Sequence, residues 1–169
     1  IDRANEAKKK QGDKAEKWVL TYEKQRLNKH HNKNLVSKIE RISIDDAAAG
    51  YDLISLQNEN SFCIDKFIEV KSFSNEDSFF WSLNEVRVAK DKGRLYSIYL
   101  IDMNKISDKK YKPTEISNPI KIFKGILTVY DDKDNKVSFS ELDTNKNKIV
   151  IEDSTKKYSS KPDGWKIYF

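Results

Sequence analysis

The run Leu95-Tyr96-Ser97-Ile98-Tyr99-Leu100-Ile101 contains no charged residue and no polar/apolar alternation. A strand built from it puts apolar side chains on both faces, which suits only a central position in a sheet that is covered on both sides. Upstream, Phe67-Ile68-Glu69-Val70-Lys71 alternates, so Ile68 and Val70 share one face of a strand and Glu69 and Lys71 the other. Between the two, Ser82 with Glu85 three residues on, just before Val86 and Ala89, spells a capping box for a helix that Gly93 ends. At the N-terminal side, Ala15, Trp18, Val19, Tyr22 and Leu27 have helical spacing over Lys14–Asn28, with Asp13 as the N-cap. Leu35–Ser43 is β-branched enough for a strand, and Ala47–Gly50 is a small-residue turn into a second strand, Tyr51–Leu56. Gln57–Asp65 has the composition of a hairpin loop. The first hundred residues therefore spell αβββαβ, an α/β class with a mixed central sheet flanked by helices.

Beyond Met103 the character changes. Pro113 and Pro119 break the chain, and Ile120–Tyr130, Val137–Ser140 and Lys148–Glu152 have strand composition between Asp/Asn/Lys turns. The expected organisation is a linker or frayed N-terminus over 1–11, which holds Lys8-Lys9-Lys10, a core over 12–102, and a β-rich extension over 103–169 packed on the same domain. With 35% charged and 37% hydrophobic residues in 169, one soluble domain suffices. No apolar run approaches the roughly 18–20 residues of a membrane span, and no secretory signal pattern opens the chain. A lone Cys63 cannot form an intramolecular disulfide and disfavours a structural zinc site, so a cytoplasmic protein is expected. The first residue is Ile1, consistent with a piece of a longer protein.

The residues that could carry chemistry are Asp52, Glu69 and Lys71, with Glu16 on the first helix. Glu69 and Lys71 lie about 7 Å apart on one strand face, and a neighbouring antiparallel strand would bring Asp52 beside them. Adjacent carboxylates repel unless a cation sits between them, and hard oxygen donors with open water positions suit Mg²⁺ or Mn²⁺. A lysine next to such a metal can orient a water or offset charge building on a phosphate. The parts suit phosphodiester hydrolysis. A net charge of +5 is compatible with a polyanionic partner.

Five segments carry a family resemblance: Ala15-Glu16-Lys17-Trp18-Val19 with Tyr22–Leu27, Gly50–Ser55, Phe67–Lys71, Phe80–Glu85 and Tyr96–Leu100. In this order they resemble the NO VEIN C-terminal domain family, within the PD-(D/E)XK nuclease superfamily of restriction-endonuclease-like fold. The resemblance spans about residues 12–102 and implies Asp52 and Glu69 as metal ligands, Lys71 as the catalytic lysine, and Glu16 near the metals. It also implies DNA in preference to RNA as substrate, and an ATPase or helicase domain or subunit as a partner in bacterial restriction or antiphage defence. The family usually has Gly-Glu in the first helix where this chain has Ala15-Glu16, a change that favours the helix.

Plainer roles exist for several residues. Glu85 is explained by its capping box, and Asn84 belongs to the same turn, so both are further candidates only. Glu16 could be a first-turn acid favoured by the helix dipole. His30 and His31 belong to a polar turn and are expected at the solvated surface, whereas Trp81 with Phe79 and Phe80 is expected in the core. Asp143-x-Asn145-x-Asn147 resembles the start of a calcium loop, but Lys148 stands at its glycine position and Ser154 at its glutamate position, which favours a β-turn. No glycine-rich phosphate loop and no serine elbow occurs. The expected function is a metal-dependent endonuclease; the alternative is a non-catalytic module of the same fold that binds nucleic acid or protein.

Overall fold

A computed structural model describes residues 2–75, 78–123, 127–130, 136–137, 148–151, 158–161 and 164–168. Helix α1 (Asp2–Arg26) runs for 25 residues, so the expected cap at Asp13 is an interior position and Lys8–Lys10 are helical. Ion pairs at i,i+4, Glu6–Lys10 at 2.7 Å and Asp13–Lys17 at 2.7 Å, support the exposed first half and carry it across Gly12. The expected strand at Leu35–Ser43 is mostly something else: a short helix α2 (Lys33–Val36), then a two-residue strand β1 (Glu40–Arg41). Asn32 decides this, because its side chain accepts Leu35 N–H at 3.1 Å and starts the helical turn. His30 is buried, not solvated; its Nδ1 accepts Asn32 N–H and its Nε2 lies 3.0 Å from Ser61 O, which assigns the ring proton to Nε2.

Strands β2 (Leu53–Ser55) and β3 (Lys66–Phe73) pair antiparallel. The chain then forms β4 (Ser78–Ser82), helix α3 (Leu83–Lys92), a single 3₁₀ turn at Gly93–Leu95, and β5 (Tyr96–Asp102), which returns parallel to β3. Strand β6 (Thr114–Ser117) closes a mixed five-stranded sheet of order β1-β2-β3-β5-β6. As its composition requires, β5 is central and is buried through Ile101. One face packs on α1 through Ala15, Val19, Leu53, Ile68, Tyr99 and Ile101; the other packs on α3 and β4 through Trp81, Val86, Ala89, Tyr96 and Ile98. Trp81 is fully buried, as expected.

The expected strand at Ile120–Tyr130 begins as a helix, α4 (Pro119–Phe123), because proline at a first helical position loses no hydrogen bond and Lys121 N–H returns to Asn118 O. Strands β7 (Leu127–Tyr130), β8 (Lys136–Val137) and β9 (Lys148–Ile151) form a separate antiparallel sheet. The remainder of the expected Val137–Ser140 strand and the turn at Asp143–Asn147 lie outside the described residues. Finally β10 (Tyr158–Lys161) pairs with β11 (Gly164–Tyr168), and β11 pairs with β4, setting Trp165 opposite Trp81 and bringing Ile167 into the core. Among the described residues no helix is long and apolar enough to cross a membrane.

Candidate active site

Regular pairing of β2 with β3 stops at Leu53. One residue earlier, Asp52 gives its N–H to Ile68 O at 2.8 Å, and its carboxylate Oδ2 accepts Val70 N–H at 2.8 Å. The side chain thus replaces a missing backbone acceptor and is locked against β3, beside Glu69 and Lys71. Glu69, 5% exposed, and Lys71 project from the face of β3 that meets α3. There Lys71 Nζ lies 2.8 Å from Glu69 Oε1 and 2.7 Å from Glu85 Oε2. Glu85 also completes the capping box, since the same oxygen accepts Ser82 N–H at 3.1 Å while Ser82 Oγ accepts Glu85 N–H. Capping and the contact with Lys71 are therefore two uses of one carboxylate.

A cavity of about 170 Å³ opens here, lined by Asp52, Glu69, Asn84 and Glu85 among the sequence-selected residues, and also by Ser43 and Asp46. Asn84 donates to Ala48 O at 2.9 Å and ties α3 to the turn before Gly50. Gly50 sits at φ +74°, with Val88 and Asn84 against its Cα, a place where any side chain would collide. Tyr96 donates to Gly50 O at 2.8 Å from below. Glu16 does not line the cavity. Its Oε2 accepts from Arg41 Nη2 at 2.7 Å and from Ser43 Oγ at 2.5 Å, so it reaches the cavity through Ser43. Lys71 borders a second, larger cavity of about 630 Å³ between the N-terminal half of α1 and strands β3 and β4.

Electrostatics follow from burying several acids with few cations. Burial, then the negative charges of Glu16 and Glu85, push the Asp52 carboxyl up to about 7, against the opposing pull of Val70 N–H and Lys71. Glu69 is held well above the usual carboxylate range by burial and by Asp52 and Glu85, which outweigh Lys71. Burial alone would lower the Lys71 ammonium, but Glu69 and Glu85 prevail and keep it above the ordinary lysine value. The cluster has more carboxylates than cations and so retains a proton near neutrality, or takes a cation in its place. Among the described residues no three His, Cys, Asp or Glu side chains form a ready-made metal cage. Two oxygen-donor carboxylates on one small cavity nevertheless fit a hard divalent ion that keeps several waters.

Arg41 and Ser43, which orient Glu16, were not legible beforehand, and nothing in the local pattern marks them. A second polar network was also missed: fully buried Glu23 accepts from Ser55 at 2.6 Å, Tyr99 at 2.9 Å and Arg26, while Lys66 joins Tyr99 at 2.8 Å to Glu115 at 2.8 Å. It lies on the α1 face of the sheet, away from Glu69, and every polar end in it is satisfied, which suits a structural role. Residues 15–116 match the family described as Protein NO VEIN, C-terminal. No curated protein and no solved structure matches the chain.

Proposed function

The chain belongs to the NO VEIN C-terminal family, and from that premise we propose that it is a metal-dependent endonuclease with a restriction-endonuclease-like core. The observation that supports this best is the fixing of Asp52 by Val70 N–H beside Glu69, with Lys71 gripped by two carboxylates. Asp52 and Glu69 would hold Mg²⁺ or Mn²⁺, with Glu16 behind them as a further acid. Such an ion, when bound, polarises a phosphate oxygen and makes a bound water more acidic. Lys71 remains an ammonium at neutral pH, so it acts by charge and orientation on the phosphate, not by taking a proton. Glu85 and Glu69 hold that ammonium in place, and Ile68 and Val70 bury the strand, so the group sits on a rigid element. Asn84 and Gly50 keep the cavity's outer wall in position. DNA as substrate, and an ATPase or helicase partner in a restriction or antiphage system, belong to the same proposal and rest on the family likeness.

The test is calorimetric titration of Mg²⁺ and Mn²⁺ into the wild type and into Asp52→Asn with Glu69→Gln, beside plasmid and RNA cleavage. Cutting together with metal binding, both lost in the double variant, is the expected result. A wild type that binds no metal, with or without nucleic acid, overturns it in favour of a binding module.

A further inference from the structure

Helix α1 carries a second feature on its other flank. Trp18 lies two residues beyond Glu16, about 200° round the helix, and its ring stacks on Tyr22 with centroids 5.4 Å apart and 11° between planes. Tyr111 packs against the same indole at 5.3 Å. The group is braced: Trp18 Nε1 donates to Ile106 O at 3.1 Å, and Tyr111 Oη accepts Asp102 N–H at 2.7 Å. These rings line a cleft of about 440 Å³ between α1 and the 106–112 segment, large enough for one nucleotide. Its rim carries Lys109, Lys110 and Lys112, all exposed. The one acid among them, Asp108, turns its carboxylate back onto Lys110 N–H at 2.8 Å.

Braced aromatic rings lining a cleft beside three exposed lysines match a planar base flanked by phosphates, which a single strand can present and a stacked duplex base cannot. We infer that this cleft is a binding site for single-stranded nucleic acid, seating one base against Trp18 and Tyr111 with neighbouring phosphates on Lys109, Lys110 and Lys112. The site stands apart from the Asp52 cavity and does not depend on the cleavage proposal.

The test is fluorescence anisotropy of a labelled ten-nucleotide oligo-dT with the full chain in EDTA, so that cutting plays no part. The wild type binds the strand more tightly than a duplex of equal length or thymidine monophosphate. Changing Lys109→Ala, Lys110→Ala and Lys112→Ala together, at exposed positions, weakens binding about tenfold and flattens the salt dependence by about 2 in log–log slope. Strand addition quenches tryptophan emission in the wild type but not in Trp18→Phe. No binding, an unaffected triple variant, equal affinity for duplex or free nucleotide, or quenching that survives Trp18→Phe each overturns the inference.

Discussion

The carboxylate of Asp52 accepts the backbone N–H of Val70, the residue that separates Glu69 from Lys71. A single 2.8 Å bond therefore sets the position of one acid relative to two other charged groups on a different strand. It also occupies one oxygen of Asp52, a residue that lines the same cavity as Glu69. Replacing Asp52 changes geometry as well as charge, and for that reason Asp52→Asn, which can still accept the bond, is the cleaner variant.

Lys71→Met removes the cation that pairs with both Glu69 and Glu85, the one that does so among the described residues. Cleavage should fall by about 10²–10³-fold, the scale of one lost charge-stabilising donor. The metal-free domain should lose about 3–5 kcal/mol at pH 8 because buried Glu69 is left without its cation, and recover much of it at pH 5, where Glu69, held well above the usual carboxylate range, is protonated. Urea unfolding at the two pH values checks this; equal losses at both would contradict it.

Stability of the metal-free domain should decline as pH rises. An unfolded aspartate ionises near 3.8, whereas folded Asp52 ionises at about 7, and Glu69 is shifted the same way. Between those values the folded state binds more protons, so raising the pH favours unfolding until Asp52 is ionised. The melting temperature should be about 5–10 °C lower at pH 8 than at pH 5. Millimolar Mg²⁺ or Mn²⁺ should narrow the gap by replacing the proton, which differential scanning calorimetry can follow.

Glu16→Gln keeps an acceptor for Arg41 and Ser43 but removes the largest charge effect on Asp52 after burial. The Asp52 midpoint should drop below about 7, read from the carboxyl carbon shift by NMR. An unchanged midpoint would mean that burial alone governs it.

Gly50→Ala forces a Cβ to within 2.7 Å of Val88 Cγ2 in a left-handed conformation. A loss of about 1–3 kcal/mol is expected from the backbone conformation and overpacking together. The turn over 47–50 should shift away from Asn84, and metal affinity should fall even under conditions where the variant is fully folded.

Tyr99→Phe deletes a hydroxyl shared by Lys66 and Glu23 in the other network. A cost of about 1–3 kcal/mol in chemical denaturation is expected, with cleavage per folded molecule unchanged, because that network lies across the sheet from Glu69.

Local chemistry made parts of this fold readable from the chain. The alternation around Glu69 and Lys71, the Ser82–Glu85 box and the unbroken apolar run of β5 each state a requirement within a few residues. Features set by distant partners left no such mark. Phe79-Phe80-Trp81 neither alternates nor sits between turn signals, and β4 exists because residues 164–168 come to lie beside it. Burial of His30 depends on Ser61 O, 31 residues later. The choice of Asp52, Glu69 and Lys71 followed from residue type and strand period, whereas Glu85 was readable as a cap and a further candidate but its contact with Lys71 was not. The helical start of α1 was hidden by Gly12 and three adjacent lysines, which resemble a linker until the i,i+4 pairs are counted.

Among the described residues β4 has one ladder, to β11 over residues 164–168. During synthesis β4 emerges early and must wait for more than eighty further residues before its partner exists, and the helix that presents Glu85 is anchored directly on it. A nascent chain therefore carries Asp52, Glu69 and Lys71 with their support incomplete until residues 164–168 are translated. For a protein proposed to cut nucleic acid, made on a template of nucleic acid, that ordering leaves the site without its full support until residues 164–168 have been made.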